Sequence, residues 1–371
     1  MSAREHDFLR VISGEARGAG PMLARAGLAA VEPLYRAAMC LRNKSFDVGL
    51  LPSRRAKKPV ISVGNLTTGG TGKTPVVAWL ASELRRATQG EIAILTRGYK
   101  SHNGLSDEAK LLEQQLHAPN EPSVRVIVDP DRVRGAGDAL HKYPEIKVFI
   151  MDDGFQHRRL HRDFDLVLLD ATNPFGHDHV LPRGLLRETT AGLRRADAVL
   201  LTRCDQVSEV ALAAICGRVR AIHPDIPTFK CSHQLTGLRP LAAAIASETN
   251  FPVESLQGRR TVAFAGIGNP MAFERLLRQA GSDVVGKKWF ADHHRYSTND
   301  LRELRSLAQA KHTHTIITTA KDAVKLRALP EAELSSPQEI LVAEMAVRFE
   351  ADDGDRLIAA IGPSLSATAG P

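Results

Sequence analysis

A glycine-rich turn between an apolar run and an amphipathic segment constrains this 371-residue chain more than any other feature. The run PVISVGN at 59–65 predicts a buried strand, and the segment 74–86 predicts a helix. Between them lies LTTGGTGK, and a glycine-rich loop that follows a strand and opens a helix is the context of a phosphate-binding loop. We therefore predict a nucleotide-binding α/β fold.

The predicted phosphate loop consists of seven consecutive residues, Thr68, Gly69, Gly70, Thr71, Gly72, Lys73 and Thr74. Glycines allow backbone N–H groups to surround phosphate oxygens, and the helix N-terminus adds the positive end of its dipole. Lys73 is expected to reach the β- and γ-phosphates, and the Thr74 hydroxyl to bind Mg²⁺. The loop departs from the pattern GxxxxGK[ST] at one place, where Thr67 replaces the first glycine.

A second apolar run, VFIM at 148–151, leads directly into two acids, Asp152 and Asp153. Adjacent carboxylates repel each other unless a cation or hydrogen-bond donors lie close by. Carboxylate oxygens are ligands that Mg²⁺ accepts at phosphate-transfer sites. The pair therefore predicts a magnesium site at the end of a strand.

Further strand-length apolar runs at 91–96, 124–128, 165–169 and 198–201 alternate with helical segments. This alternation predicts a P-loop NTPase-like, doubly wound, mostly parallel sheet. The pattern changes near residue 230, where runs such as 261–265 and 315–318 predict a second, smaller α/β domain. The predicted organisation is a basic N-terminal arm that belongs to the first domain (1–58), a phosphate-loop core (59–230) and a smaller domain (231–371).

The charge is concentrated in the arm. The net charge is +7, and residues 1–58 hold eleven Lys and Arg against five acids. Five apolar residues are spaced as one helix face: Val31, Leu34, Tyr35, Ala38 and Leu41. An apolar stripe with basic flanks is typical of a helix that lies on a membrane surface, and the alternative is a helix packed on its own domain. Aromatic residues make up only 5% and no nucleic-acid motif is present, so we predict no nucleic-acid partner.

Two shorter motifs carry further chemistry. Asp292-His293-His294 places histidines beside a carboxylate, and such a histidine can accept a proton near neutral pH. Thr202-Arg203-Cys204-Asp205 superficially resembles the guanine-reading motif of GTPases, with Arg in place of Lys. We favour the alternative interpretation, a loop at a strand end near the base pocket.

Several motifs taken together are more specific than any one of them. In chain order they are GNLTTGGTGKTP, the RGY of 97–99, the DE of 107–108, DDGFQHRRL at 152–160, LPRGLLRE at 181–188, FAGIGNP at 264–270, FADHHRY at 290–296 and TTAKDAVKL at 318–326. This series resembles the tetraacyldisaccharide 4'-kinase family of lipid A biosynthesis, from about Arg36 to about Phe349.

The resemblance implies an enzyme that uses ATP and Mg²⁺ to phosphorylate the 4'-hydroxyl of a tetraacylated glucosamine disaccharide 1-phosphate. It also implies a peripheral protein on the cytoplasmic face of the bacterial inner membrane. A substrate with four acyl chains is located in the bilayer. The resemblance therefore strengthens the interpretation of the basic arm as a helix that lies on the membrane surface. No protein partner is predicted.

The resemblance also assigns residues. It implies Thr74, Asp152, Asp153 and Glu188 as the magnesium site. Gln156 and His157 line the nucleotide, with Tyr99 near the adenine. The family's catalytic base is an Asp–His pair, which matches Asp107 with either His293 or His294, and Asp129 is a rival for the acid. Apart from the resemblance, phosphoryl transfer requires that charge on the γ-phosphate be neutralised, and Lys73 with either Arg97 or Arg187 is expected to do so.

Two other functional classes are compatible with a phosphate loop. One is an ATPase or GTPase switch that acts with a protein partner, although the lysine that many such ATPases carry two residues before Gly70 is Thr68 here. The other is a nucleotide-binding scaffold without catalysis. A kinase turns over ATP when the lipid acceptor is added, a switch responds to a protein, and a scaffold does neither.

Overall fold

The computed structural model describes residues 3–98, 121–241, 251–292, 294–330 and 338–366, together with 109, 112, 113 and 116. The strands are β1 (Val60–Asn65), β2 (Glu91–Thr96), β3 (Val124–Val128), β4 (Ile146–Asp152), β5 (Phe164–Asp170), β6 (Ala198–Thr202), β7 (Thr228–Pro240), β8 (Arg260–Ala265), β9 (Asp283–Trp289), β10 (Thr315–Thr319) and β11 (Glu339–Phe349). The helices are α1 (Ala3–Ser13), α2 (Ala19–Asp47), α3 (Lys73–Thr88), α4 (Arg132–Lys142), α5 (Glu209–Ile222), α6 (Pro270–Gln279), α7 (Thr298–Ala310), α8 (Ala320–Leu326) and α9 (Asp353–Ser366).

The chain divides into two compact units. The phosphate-loop unit comprises Asp7–Ser232 and Val347–Pro371, and the DHH unit comprises His233–Ala346 with Met1–His6. The chain passes from one unit to the other within the long strands β7 and β11.

The sheet of the phosphate-loop unit runs in the order β3-β2-β4-β1-β5-β6-β7. Every adjacent pair in this order is parallel. All six residues of β1 are buried, because helices and loops cover both faces of a parallel sheet. The predicted parallel α/β architecture is therefore confirmed.

The phosphate loop follows β1, the strand at which the order of strand addition to the sheet reverses. From β1 the chain continues to β2 and β3 on one side, and it later adds β5 and β6 on the other. Ligands of open α/β sheets bind at such a point, outside the carboxyl ends of the strands. Gly64 allows the chain after β4 to pack against β1, since a Cβ there would lie 2.5 Å from the Cβ of Phe155.

Helix α2 has two different sides. Its inner side carries polar side chains that bond to the rest of the phosphate-loop unit, including Glu32, Tyr35 and Asn43. Its outer side exposes apolar residues, including Met22, Leu23, Val31, Leu34 and Leu41. Four of the five residues of the predicted stripe lie on this outer side, whereas Tyr35 points inward. No helix within the described ranges is both long and apolar enough to cross a bilayer.

The DHH unit has its own parallel sheet, in the order β11-β10-β8-β9. Helix α6 covers it with Phe273, Leu276 and Leu277, which are buried. The FAGIGNP motif forms the turn from β8 to α6, where the Asn269 side chain accepts a hydrogen bond from the backbone N–H of Ala272. The second α/β sheet that the sequence predicts is thus present.

The C-terminal segment differs from the sequence prediction. Residues 347–371 belong to the phosphate-loop unit and not to the smaller domain. Leu357 and Ile361 of α9 are fully buried in the same core cluster as Leu80 of α3. A hydrophobic stripe in the sequence indicates that a helix packs against a core. It does not indicate which of the two sheets provides that core.

Candidate nucleotide and phosphoryl-transfer site

The phosphate loop connects β1 to α3 with two glycines in left-handed backbone conformations. Gly69 has φ 106° and Gly72, at the start of α3, has φ 80°. Side chains other than glycine are strained in this region. A Cβ at Gly69 would meet no atom within 4 Å, so the loop is open on that side. The loop and the N-terminus of α3 therefore have the backbone geometry expected of an anion-binding turn.

Lys73 has its amino group fixed at this turn. The Nζ atom donates to Oδ1 of Asn65 at 3.1 Å and lies 3.3 Å from Oδ1 of Asp153. Asn65 is fully buried and donates from Nδ2 to the carbonyl of Thr67 at 2.7 Å. The last residue of β1 thus links the lysine to the backbone of its own loop.

Asp153 joins the loop to the LPRGLLRE segment. Both of its carboxylate oxygens accept hydrogen bonds of 2.8 Å from Nη1 of Arg187. Burial by itself would raise the pKa of Asp153, but the charges of Lys73 and Arg187 outweigh it and lower the pKa to about 2. The carboxylate is therefore ionised at any physiological pH.

The LPRGLLRE segment is held against the loop by main-chain bonds. The N–H of Thr68 donates to the carbonyl of Leu185, and the N–H of Arg187 donates to the carbonyl of Leu66, each at 2.7 Å. These two bonds place Arg187 and Glu188 beside the phosphate loop. The motif therefore contacts the predicted phosphate loop through its backbone as well as its side chains.

Glu188 lies in a buried network of protein donors. Its oxygens accept from Nη2 of Arg195 at 2.9 and 3.1 Å, from Nε2 of Gln156 at 3.0 Å and from Nδ2 of Asn43 at 2.9 Å. The residue is only 2% exposed. Binding of Mg²⁺ by Glu188, which the resemblance implies, requires that one of these donors be exchanged for the metal.

Arg132 and His157 lie close to the acidic pair. Arg132 is 4% exposed, and its Nη2 donates to the main-chain carbonyl of Asp152 at 3.5 Å. Burial lowers the pKa of Arg132, while the charges of Asp152 and Asp153 oppose that shift. Burial and the charge of Arg132 lower the pKa of His157 to about 4, so its imidazole is neutral at physiological pH.

Three of the sequence motifs named above, FAGIGNP, FADHHRY and TTAKDAVKL, meet in the DHH unit at the carboxyl ends of β8, β9 and β10. The buried carboxylate of Asp322 accepts from the N–H of Gly266 at 3.0 Å, which ties TTAKDAVKL to FAGIGNP. Nζ of Lys321 donates to Oδ1 of Asp292 at 3.3 Å, which ties the same segment to FADHHRY. Three motifs far apart in sequence thus form one cluster.

His294 is held in a fixed orientation. Its Nε2 lies 3.2 Å from Oδ2 of Asp300, and its ring stacks on Phe290 with centroids 4.5 Å apart. Asp300 is itself held by the N–H and the hydroxyl of Ser297, both at 2.8 Å. These contacts fix the position and the plane of the His294 ring.

The remaining predicted residues fall into two groups. Tyr99, Asp107 and His293 lie outside the described residues. Asp129, the rival acid, is engaged by Arg134, which donates to both of its oxygens at 2.8 Å, and this pairing lowers the pKa of Asp129. Its N-terminal position before α4 favours a role in orienting that helix.

Magnesium fits the phosphate loop as an ion shared with a nucleotide. Within the described ranges, no cluster of three or more His, Cys, Asp or Glu side chains has the arrangement of a preformed metal site. Mg²⁺ at kinase sites is held by one or two protein oxygens together with the phosphates. The Thr74 hydroxyl and the Asp152 carboxylate supply oxygens of that kind at the ends of neighbouring elements.

Sequence reasoning missed several residues of this site. Asn65 stands in the quoted GNLTTGGTGKTP motif, but it carried no assigned role. Asn43, Arg132 and Arg195 lack a local pattern, since tertiary packing brings them to the site. Arg203 drew attention as part of a guanine-reading motif, and the structure instead bonds it to the phosphate loop.

Comparisons with known proteins agree on one family. The model of the family described as tetraacyldisaccharide-1-P 4'-kinase (LpxK) matches residues 24–362. The tetraacyldisaccharide 4'-kinase of Geobacter sulfurreducens is 38% identical over 334 residues, which are 86% of this chain and 89% of that protein. The enzyme of the same name from Anaeromyxobacter sp. strain Fw109-5 is 38% identical over 338 residues, 85% and 86% of the two chains.

A solved structure extends the likeness to the fold. The crystal structure of LpxK from Aquifex aeolicus in complex with ATP superimposes with a TM-score of 0.66 at 30% sequence identity. The matched region covers 92% of this chain and 99% of that one. The similarity therefore includes both units.

Proposed function

This chain belongs to the tetraacyldisaccharide-1-P 4'-kinase family, and we propose that it carries out the reaction of that family. The chain transfers the γ-phosphate of ATP to the 4'-hydroxyl of a tetraacyldisaccharide 1-phosphate, a step of lipid A biosynthesis. The observation that carries this proposal is the fixed amino group of Lys73, which Asn65 and Asp153 hold at the mouth of the phosphate loop.

Phosphoryl transfer depends on positioning and on neutralisation of charge. The backbone amides of residues 68–74 would hold the β-phosphate of ATP, and Lys73 and Arg187 would neutralise charge on its γ-phosphate. Thr74 and Asp152 would hold Mg²⁺, which would neutralise further charge on the phosphates. Asp153 stays ionised and keeps the two cations in place. The family resemblance assigns Gln156 and His157 to the nucleotide side of the site, and it assigns Tyr99 to the adenine.

The proton of the attacking 4'-hydroxyl requires an acceptor. We assign this role to Asp107 together with His293 or His294. The bond between His294 and Asp300 supports the histidine motif as a source of an oriented imidazole. A positioned general base contributes about 10²–10⁴-fold to such a step.

The arm provides a way to meet an acylated substrate. The outer side of α2 exposes Leu23, Val31, Leu34 and Leu41, and basic residues such as Arg36 and Lys44 flank them on the exposed surface. An apolar face with flanking cations binds the interface of an anionic bilayer. We therefore place the chain at the cytoplasmic face of the inner membrane as a peripheral protein.

The test is transfer of labelled phosphate to lipid. Purified protein is incubated with Mg²⁺, γ-labelled ATP and tetraacyldisaccharide 1-phosphate in detergent micelles, and the lipid phase is counted. We expect label in the lipid with wild type and with Lys142→Ala, an exposed lysine away from the loop. Lys73→Ala is expected to lower kcat by at least about 10²-fold, because an electrostatic contact with the transferred group is lost.

Other outcomes separate the competing classes. ATP or GTP consumed without labelled lipid, and stimulated by a protein fraction, would support the partner-dependent switch. Nucleotide binding without any turnover would support the scaffold. Transfer to lipid that persists in a folded Lys73→Ala protein would remove Lys73 from the mechanism.

A further inference from the structure

We propose that Arg203, together with Asp170, is a positioning device for the phosphate loop that sets the affinity for the nucleotide phosphates. Arg203 follows β6 and Asp170 ends β5, so neither residue belongs to the loop. This inference rests on the proposed function in one respect only, that the loop binds the phosphates of ATP.

The contact between Arg203 and the loop is direct. Its Nη2 donates to the carbonyl of Gly70 at 2.7 Å, and its Nη1 pairs with Oδ2 of Asp170. The neighbouring Thr202 hydroxyl donates to the carbonyl of Thr71 at 3.0 Å. Two consecutive carbonyls of the glycine-rich turn are therefore bonded to the end of β6.

These bonds determine which way the peptide units of the turn face. In a trans peptide the C=O and N–H groups point in opposite directions. Because β6 holds the carbonyls of Gly70 and Thr71, the N–H of Gly72 points away from β6. A carbonyl that turned toward a phosphate would repel it, whereas an N–H attracts it. Arg203 and Thr202 thus keep negative ends of peptide dipoles out of the anion site.

The guanidinium has little freedom to take another position. Arg203 and Asp170 are each 8% exposed. The other oxygen of Asp170 accepts from the N–H and the hydroxyl of Thr172, at 3.0 and 2.7 Å. The carboxylate is therefore fixed at the strand end, and it fixes the arginine in turn.

The backbone of Arg203 supports a role for its side chain. Arg203 has φ 57°, in the left-handed region where glycine is favoured and a long side chain is strained. Local backbone geometry alone would select glycine at this position. The contacts of the arginine side chain with Gly70 and Asp170 supply a reason for the residue that is present.

The test separates the side chain from the backbone. Arg203→Gly combined with Asp170→Asn removes the guanidinium, relieves the left-handed strain and leaves no unpaired buried carboxylate. Arg203→Lys keeps the positive charge. A compact ammonium group replaces the planar guanidinium, which bridges the Gly70 carbonyl and the Asp170 carboxylate. The matched control is Arg162→Gln with Asp165→Asn, since this pair, joined at 2.8 Å, is equally buried but does not contact the loop.

Two measurements are made on each full-length protein: the KM values and kcat of lipid phosphorylation, and the Kd of ADP by calorimetry. For the Arg203/Asp170 variant we expect KM for ATP and Kd for ADP to rise about 10- to 100-fold, as for a lost charged hydrogen bond. KM for the lipid acceptor should stay within twofold of wild type. Arg203→Lys should give a smaller rise in the same two constants.

A merely structural defect has a different signature. It lowers the active fraction, and therefore apparent kcat, without changing KM for ATP. The inference is overturned if folded Arg203 variants keep wild-type KM for ATP and Kd for ADP, or if the Arg162/Asp165 control raises them equally. Should wild type bind ADP but fail to phosphorylate lipid, the proposed function fails while the ADP measurements still decide the role of Arg203.

Discussion

Asp153 is the residue on which the charges of the nucleotide site converge. It contacts Lys73 and Arg187, and the buried guanidinium of Arg132 lies within the same electrostatic field. Three cations therefore face the two carboxylates of Asp152 and Asp153. The polyanionic triphosphate of a nucleotide complements this excess, while the ionised Asp153 prevents the cations from repelling one another.

His157 makes the stability of this site depend on pH. Its pKa is about 4 in the folded protein and 6.5 in an unfolded chain. When pH falls below 6.5, the unfolded chain takes up a proton that the folded protein does not, so folding stability falls until pH reaches about 4. The unfolding free energy of wild type should therefore decrease between pH 7 and pH 5. In His157→Gln we expect this decrease to be smaller by about 1–2 kcal/mol.

Urea unfolding at pH 7, 6 and 5 measures this difference. The control is His314→Asn, which changes an exposed histidine of the DHH unit. Parallel curves of unfolding free energy against pH for wild type and His157→Gln would show that His157 does not carry the dependence.

At the scale of single residues, sequence predicts contacts that are local. Lys73 and Thr74 follow the glycines directly, so the pattern GGTGKT is enough to place them. Arg203 lies 133 residues from Gly70, and only the parallel pairing of β5 and β6 with β1 brings it to the loop. A four-residue match to a guanine-reading motif could not reveal that contact.

Helix α2 is the element for which sequence and structure combine most usefully. The sequence indicates an apolar stripe, and the structure shows that Leu34 and Leu41 are 72% and 70% exposed. We expect Leu34→Glu with Leu41→Glu to weaken binding to anionic vesicles at least about tenfold, since two leucines no longer enter the interface. Sedimentation with vesicles measures the bound fraction.

The matched control for this change is Val210→Glu on α5, a residue 81% exposed and outside the arm. Neither variant should change the unfolding transition, because no buried contact is removed. If the Leu34/Leu41 variant binds vesicles as well as wild type does, the exposed apolar stripe does not contribute to bilayer binding. Deleting the arm is a poorer experiment, since Glu32 and Tyr35 bond to the LPRGLLRE region.

Helix α9 is an element whose partner the sequence could not identify. Leu357 is fully buried in the core of the phosphate-loop unit. We expect Leu357→Ala to lower the unfolding free energy of the chain by about 2–5 kcal/mol, as for other leucines removed from a packed core. Ala359→Ser, an exposed change on the same helix, serves as the control in urea unfolding. Equal stabilities would contradict the packing.

Strand β9 shows why some elements escape sequence analysis. Its residues, DVVGKKW, contain a glycine and two lysines, and Val284 is its one buried position. It is the edge strand of its sheet, so one side of it needs no apolar cover. The central strands β1, β5 and β6 consist mostly of buried apolar residues, and for that reason the sequence predicts them closely.

The excess positive charge of the whole molecule is concentrated near the N-terminal end of its sequence, in the arm. Exposed cations of the arm and its neighbourhood include Arg10, Arg17, Arg36, Lys44, Arg54, Arg55 and Lys57. We expect binding to phosphatidylglycerol vesicles to fall several-fold as NaCl rises from about 0.05 M to about 0.5 M, because salt screens exposed charges. Binding to phosphatidylcholine vesicles should be weaker and nearly independent of salt. Salt-independent binding to both lipids would assign the attraction to the apolar stripe alone.

The thickness of α2 determines how far the chemistry lies from a bound bilayer. The helix turns Leu34 outward, while Tyr35 donates to the carbonyl of Arg187 at 2.9 Å and Asn43 bonds to Glu188. A helix with its side chains is about 10–12 Å across. For a chain bound to a bilayer through α2, as we propose, the phosphate acceptor would rise about one helix diameter above the lipid surface, and its acyl chains could stay in the hydrocarbon while the sugar reacts.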